Sequence, residues 1–375
     1  MQVRKAGKKG DGNVFEDILA QAKTGNSVQA SAGSDELLSN DKIRIAIIGV
    51  GGGGCNTVNR MAKIGVKSAK TIAINTDNLH LQSIQAQKKV LIGRSITKGL
   101  GAGGFPELAQ KCAEASKDQL RQEIGENELV FLTAGMGGGT GTGAAPTIAK
   151  IAKEQGAIVV SIVTTPFSLE RARLKKAEWG LKALAEHSDT VVVIDNNRLV
   201  QYAPNIPISD AFNLADEITG KAVCGIADTI MFPSLMNIDY ADVKSVMEHG
   251  GISLISLGEG TGQDKVDQVV KNTLDHPLLD VSYEGAKGAL LHIEGGAGLS
   301  LGDSIKIGEK ITDKFDSNAN VKMGARLVPE KNDLVSVTAI VTGLTSGQVS
   351  HILGEKASEE EQIRPPSMLE SVSYI

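Results

Sequence analysis

The placement of glycine constrains this chain more than any other feature. Three short windows, Gly49–Gly54, Gly99–Gly104 and Gly135–Gly143, hold 15 of its 43 glycines. Glycine makes up about 11% of the 375 residues against a usual share of about 7%. Clustered glycine marks places where the backbone needs left-handed angles or must approach another atom more closely than a side chain permits. No Gly-X-Y period runs through the chain and 41% of residues are apolar, which excludes collagen and a disordered low-complexity chain.

Length predicts two or three domains with more than one core. A net charge of −5 argues against a broad nucleic-acid surface, which needs a basic field to release counterions. Cys55, Cys112 and Cys224 form no CxxC pair, and the six histidines show no HxxxH or HExxH spacing, so neither a disulfide framework nor a zinc site is expected. Cysteine usage predicts a reducing, cytoplasmic setting. Apolar runs such as Ala157–Val163 fall far short of the roughly 18 residues that cross a bilayer, and Met1–Gly10 leads into no apolar segment, so no span and no secretory signal are expected.

Residues 1–40 read as a flexible extension rich in Gly, Ser, Gln, Lys and Asp. From Ile43, apolar runs at Ile43–Ile48, Thr71–Asn75, Leu129–Ala134, Ala157–Thr164 and Thr190–Ile194 alternate with helical patterns, among them Pro106–Ile124, Ala144–Glu154 and Leu169–Glu186. That alternation predicts βαβ units and a parallel sheet covered on both faces. The boundaries read as a first α/β domain at 41–209, a long helix at 210–227, a smaller α/β domain at 228–345, and a flexible tail at 346–375 carrying Glu359–Glu361 and Pro365-Pro366.

The first glycine loop, Gly49-Val50-Gly51-Gly52-Gly53-Gly54-Cys55-Asn56, lies where a strand hands over to a helix. Free N–H groups and the helix dipole favour phosphate there. Alone the loop is ambiguous, because Gly49, Gly51 and Gly54 also satisfy G-x-G-x-x-G with Asp77 about 20 residues on, the dinucleotide fingerprint. The loop Gly135–Gly143 again follows an apolar strand and opens a helix, with Thr140 and Thr142 as hydroxyl donors. Two helix N-termini facing one point suit several phosphates better than one pyrophosphate. No G-x-x-x-x-G-K-[ST] occurs.

Gly137-Gly138-Gly139-Thr140-Gly141-Thr142-Gly143 looks like the signature of the tubulin/FtsZ family. From about Ile43 to Gly343 the chain resembles its FtsZ members through Gly49–Asn56, Asn75-Thr76-Asp77, Lys98–Gly103, Pro166-Phe167, Asn237–Asp242 and Pro277-Leu278-Leu279. The resemblance implies the tubulin/FtsZ fold: a parallel-sheet GTP-binding domain with Gly-rich loops, a long central helix, and a smaller C-terminal GTPase-activating domain. It implies GTP or GDP as ligand, with phosphates held by Gly52, Gly53, Gly54 and Asn56 and by Gly139, Thr140 and Gly141, and with Gly51, Cys55, Asn75, Gly138 and Thr142 also in the nucleotide-binding set. Gly101, Ala102 and Gly103 would cover the terminal phosphate and its Mg²⁺, which the phosphates themselves carry. Glu170 would meet the ribose, Phe212 would stack on guanine, and Asp216 would accept from its N–H groups. The family carries an arginine four residues after that glutamate; position 174 is Leu, and Arg173 is the nearest counterpart. Cys55, where bacterial members usually have glycine, the segment after Glu170 and Phe232-Pro233-Ser234 are read as marks of an archaeal member.

Asn237-Ile238-Asp239-Tyr240-Ala241-Asp242 admits two readings from its residues. Asp239 and Asp242 share a face at a helix start, which suits helix capping. The same pair beside a phosphate can orient or deprotonate a water, with Asn237 positioning it. The resemblance favours the second, because in FtsZ this loop enters the nucleotide pocket of the next subunit. It thus implies head-to-tail filaments of this chain, hydrolysis at subunit junctions, and action in the division ring at mid-cell. It also implies membrane-tethering adaptors recruited through the N-terminal extension or the C-terminal tail, where Met368–Ile375 has the apolar spacing of a docking motif. The competing readings are an NAD-dependent oxidoreductase using Gly49, Gly51, Gly54 and Asp77, and a tubulin-like polymer with a non-division duty.

Overall fold

The protein is described from a computed structural model at residues 43–197, 205, 207–231, 234, 236–247, 252–275 and 283–344, without the side chains of 64, 208–215, 218, 222, 229, 252 and 329. The extension 1–40, the tail 346–375 and Pro277-Leu278-Leu279 lie outside the described residues.

Ten strands form one sheet: β1 (Ile45–Val50), β2 (Lys70–Asn75), β3 (Lys88–Leu91), β4 (Leu129–Gly135), β5 (Ile158–Thr165), β6 (Thr190–Asp195), β7 (Ile252–Gly260), β8 (Gly288–Gly295), β9 (Asn320–Leu327) and β10 (Val335–Leu344). Their order is β3-β2-β1-β4-β5-β6-β7-β10-β8-β9. Seven strands from β3 to β7 run parallel, and only β10 opposes its neighbours. The sheet crosses from one half of the chain to the other where Val191 and Val192 of β6 pair with Ile252 and Ser253 of β7.

Described helices are α1 (Gly51–Ile64), α2 (Asn78–Ser83), α3 (Arg94–Thr97), α4 (Pro106–Ala115), α5 (Lys117–Ile124), α6 (Thr140–Glu154), α7 (Arg171–Ala185), α8 (Ile208–Met231), α9 (Tyr240–Met247), α10 (Lys265–Leu274) and α11 (Leu301–Thr312). The helical pattern expected over Pro106–Ile124 is two helices, broken at Ser116, whose hydroxyl accepts the Gly93 N–H at 3.0 Å. β3, α2 and α3 are too short to show as periods in the sequence. α1 starts at Gly51, inside the glycine run, and ends at Gly65, whose left-handed angles return its N–H to the Met61 and Ala62 carbonyls.

β1 is buried along its whole length, so its apolar residues serve two cores. Ala46, Ile48 and Val50 join Ile72, Leu132, Ile148 and Leu181 on one face, beneath α4–α7. Ile45 and Ile47 join Phe131, Met61, Val223, Ile226 and Val246 on the other, beneath α1, α8 and α9. The second cluster also takes in Leu290 and Ile340, so α8 packs on strands from both halves. A third core lies between α10 and α11 and the far face of β8 and β10, built on Val269, Ile307, Leu291 and Val337.

Part of the glycine surplus serves this packing. A Cβ on Gly143 would stand 1.9 Å from the Pro106 carbonyl oxygen, and one on Gly54 would stand 2.1 Å from that of Thr133. Gly143→Ala is expected to cost about 3 kcal/mol, because backbone is the obstacle and α4 or α6 must shift. Gly52→Ala, whose Cβ meets nothing within 4 Å, is expected to stay within about 0.5 kcal/mol. Denaturant unfolding of the two variants checks the contrast.

Candidate functional site

β1 has β2 on one side and β4 on the other, so the chain's crossovers leave it in opposite directions there. Such a switch point opens a crevice at the carboxyl ends of the strands. Val50 pairs with Ala134, so the two glycine loops emerge side by side. They can close together only as bare backbone: Gly51, at φ +71°, faces the Gly141 N–H, which a Cβ would approach to 2.6 Å. The N-termini of α1 and α6 thereby open onto one cleft of about 390 Å³, a size suited to a small-molecule ligand. The third glycine loop closes it. Lys98, Gly99, Gly101, Gly103 and Gly104 all have positive φ, and the Gly101 N–H is tied to the Thr76 carbonyl at 3.1 Å.

The expected site residues divide sharply. Gly52, Gly53, Asn75, Gly101, Ala102, Gly103, Gly138, Gly139, Thr140, Gly141 and Arg173 line the cleft. Thr140 Oγ1 lies 2.7 Å from Thr76 Oγ1. Gly51 is buried in the turn, and Gly54 is pressed against β4, where Thr133 Oγ1 donates to its carbonyl at 3.2 Å. The Cys55 thiol points into the core between Ala73, Leu81 and Ile84, directed at the Gly49 and Ile74 carbonyls, and burial pushes it up to about 12. The Thr142 hydroxyl, expected as a donor, is fully buried with no hydrogen-bond partner among the described residues, and its methyl sits where a Gly180 Cβ would be, 2.4 Å away. The helical period decides this: two residues after Thr140, position 142 faces α7 rather than the ligand side.

Arg173 is the cation of the cleft. It pairs with Glu170 and reaches the Gly137 carbonyl through Nε at 3.4 Å. Glu170 also accepts the Phe167 N–H at 3.2 Å. Asp216 on α8 stands behind the first loop and accepts the Thr57 hydroxyl at 2.5 Å. Burial holds the Asp216 carboxyl above its ordinary range, opposed by that hydrogen bond and by Arg60. The Phe212 side chain lies outside the described residues.

His80 lines the cleft as well, although histidine spacing gave it no role. Asn75 Oδ1 accepts from the Thr76 and Asp77 N–H groups, so Asn75 Nδ2 faces His80 Nδ1 at 3.2 Å as a donor. The imidazole then carries its proton on Nε2 and donates to Asn56 Oδ1 at 3.1 Å. Asn75 is consumed in this relay, and the Asn56 amide is turned with its Nδ2 group away from His80. A histidine three residues after Asp77, which caps α2 through the His80 N–H, was the available signal.

Asn237, Asp239 and Asp242 do not line the cleft. Asn237 Oδ1 accepts the Ser234 N–H at 2.7 Å. Asp239 Oδ1 accepts the Asp242 N–H at 2.7 Å and Asp242 Oδ2 faces the Asp239 N–H at 3.4 Å, the reciprocal pattern of a capping box at the start of α9. The Tyr240 hydroxyl donates to the Glu128 carbonyl, just before β4 begins. The acids therefore stand at the amino edge of the parallel strands, while the glycine loops stand at the carboxyl edge. Seven-residue β4 separates them, about 20 Å at roughly 3.3 Å per residue.

Comparison with known proteins accords with this geometry. A model of the tubulin/FtsZ family GTPase domain matches residues 44–204, and one of the FtsZ family C-terminal domain matches 251–345. The chain is 51% identical over 344 residues to cell division protein FtsZ 2 of Methanocaldococcus jannaschii, covering 88% of this chain and 90% of that one. It is 44% identical over 359 residues to cell division protein FtsZ 1 of Pyrococcus abyssi, covering 94% and 96%. Among solved structures, an empty FtsZ dimer of M. jannaschii superposes with a TM-score of 0.77 at 38% identity, covering 88% of this chain and 92% of that one. CetZ2 of Haloferax volcanii shares the fold at a TM-score of 0.70 and 21% identity, over 83% and 97%. With two family domains in order and half its residues shared with an FtsZ over most of both lengths, this chain belongs to the tubulin/FtsZ family of GTPases, in its FtsZ branch.

Proposed function

We propose that this GTPase polymerises head to tail through its nucleotide and hydrolyses GTP at the subunit junction, where Asn237, Asp239 and Asp242 of one copy meet the cleft of the next. One observation carries the reading: the acids and the glycine cradle lie on opposite edges of the same sheet. No side chain spans that distance, so a single copy holds both halves of a site and can join neither to the other. Joining them between copies is a heterologous contact, which propagates as a filament.

In this reading the N–H groups at the starts of α1 and α6 hold the phosphates, and Arg173 adds positive charge. Phosphoryl transfer needs mainly positioning and charge stabilisation, which such a cradle supplies. Asn237 of the neighbour places the attacking water and its carboxylates take up the proton. The β–γ bridging oxygen then leaves on GDP. Among the described residues no group of three His, Cys, Asp or Glu forms a cage, so a Mg²⁺ here fits as a phosphate-borne ion completed by water, the usual habit of that cation. It would supply charge neutralisation at the transferring phosphoryl group. Asp216 accepts from the guanine N–H groups, Phe212 stacks on the base and Glu170 meets the ribose.

The relatives are named as cell division proteins, and we assign this polymer the same duty: a division ring in the cytoplasm, tethered through adaptors that grip the extension or the tail. Among the described residues no helix is long and apolar enough to cross a membrane. The domain scheme of 41–209, 210–227 and 228–345 is retained as cradle, connecting helix and activating domain. Nothing in the cleft favours a nicotinamide cofactor, since a second glycine loop occupies the far side of the switch point.

Specific GTP turnover should rise with protein concentration; a flat rate overturns completion by a neighbour. Asp242→Ala and Gly139→Trp should each bind or assemble yet turn over little alone, and mixing them should restore activity at junctions that combine the intact halves. GTP affinity should fall as pH drops through the raised range of Asp216, because the protonated acid loses an acceptor site. Asp216→Ala should weaken binding by about 2 kcal/mol, roughly 30-fold, and remove that pH dependence, as read by titration calorimetry.

A further inference from the structure

The loop bearing the acids is clipped to β9, the edge strand of the sheet, at three successive points. Met236 and Ala325 exchange both backbone hydrogen bonds, at 3.2 and 3.1 Å. Lys322 Nζ lies 2.9 Å from Asp242 Oδ1. Asn320 Nδ2 donates to Ser245 Oγ at 3.0 Å, and that hydroxyl donates to the Asp242 carbonyl at 2.9 Å. Asn320 and Lys322 are two apart on a strand, so both side chains project from the face against which α9 packs.

These contacts do unequal things. The backbone pair at Ala325 sets where the loop runs, and the Asn320–Ser245 bond ties the second turn of α9 to β9. Only Lys322 touches a carboxylate of the acid pair, and it takes one oxygen, Oδ1, leaving Oδ2 toward Asp239. Both side chains of the ion pair are partly accessible, at 36% for Lys322 and 28% for Asp242. The pair therefore adds little to folding stability, and its use lies elsewhere.

We propose that Lys322 is a positioning residue for hydrolysis: from β9 it engages Oδ1 of Asp242 and fixes which carboxylate oxygen is presented to the neighbouring subunit's nucleotide. The inference rests on the reading of Asp242 given under Proposed function. An ammonium that arrives with the acid also offsets the repulsion between a carboxylate and a polyphosphate as the two surfaces close, which an unaccompanied Asp239–Asp242 pair would meet in full. Asp242 is held below the ordinary carboxylate range, first by the Lys322 hydrogen bond, against desolvation, and further by the Asp239 backbone. Lys322 is correspondingly raised by Asp242, with Asp239 adding to it. Among the described residues these are the ionisable groups that face Asp242.

The test uses the full chain with GTP and Mg²⁺, scoring turnover per polymerised subunit. Lys322→Met keeps the apolar stem and removes the charge. It should leave polymer yield and the KM for GTP unchanged while kcat falls about 10- to 100-fold, the scale of a misplaced catalytic group. Removing the ammonium lifts the Asp242 carboxyl, so the acid limb of the kcat profile should move to higher pH. Lys322→Arg should restore both rate and profile, and adding Lys322→Met to Asp242→Ala should change nothing further. Wild-type turnover in Lys322→Met, a loss that only tracks lost polymer, an unmoved acid limb, or an arginine variant as slow as the methionine one each overturns the proposal. Asp242→Ala alone separates the two readings. If it is inactive while Lys322→Met is normal, only this inference falls; if it turns over normally, the reading of the loop falls and this inference with it.

Discussion

Backbone meets backbone where the first strand–helix crossing touches the fourth. Gly54 lies on the Thr133 carbonyl, Gly51 on the Gly141 N–H, and Gly141 on the Gly135 carbonyl, each closer than any Cβ allows. With side chains at these positions, α1 and α6 would be pushed apart and their N-termini would no longer share a cleft. The convergence of two helix dipoles on one volume is what makes the cleft an anion site. The parallel sheet beneath exists to hold the two crossings in register, with Val50 beside Ala134.

The same parallel sheet sets how far apart the two candidate loops stand. Parallel strands have one edge where crossovers leave and another where they return, and a functional loop at each edge is separated by the strand length. Here the cradle occupies one edge and the acids the other. In the proposed reading, a monomer binds nucleotide and the junction between copies hydrolyses it. Under the proposed head-to-tail contact, the lifetime of a junction and hydrolysis at it become one problem, since the contact that places the acids is the one that the nucleotide holds together.

The edge strand β9 adds a link between the two halves of the chain. Its partner on the inner side is β8, and its outer side receives the loop at Met236. An exposed edge strand invites pairing with other chains; here the strand's outer hydrogen-bonding groups at Ala325 are spent on the chain's own loop. The position of the acids thus depends on β9, a strand about 80 residues further along the chain.

Much was legible in sequence. Apolar runs placed nearly every strand of the parallel series, and the glycine windows placed the cleft, because both signals are local and periodic. β3, α2 and α3 escaped because four to six residues carry too little period. Single side chains were less legible. Gly52 and Gly54, or Thr140 and Thr142, look alike in a motif, yet one of each pair faces the cleft and the other a neighbouring element. Cys55 reads as part of a phosphate loop and folds as core. His80 reads as an isolated histidine and joins Asn75 to Asn56. Lys322 lies 80 residues from Asp242, and nothing local to either announces the other. Local residue pattern is enough to set the strand–helix alternation, the bare backbone at the crossings and hence a candidate anion cradle. Which groups face that cradle, and that the acids stand on the opposite edge, follows from the three-dimensional packing, because facing and separation are set between elements distant in the chain.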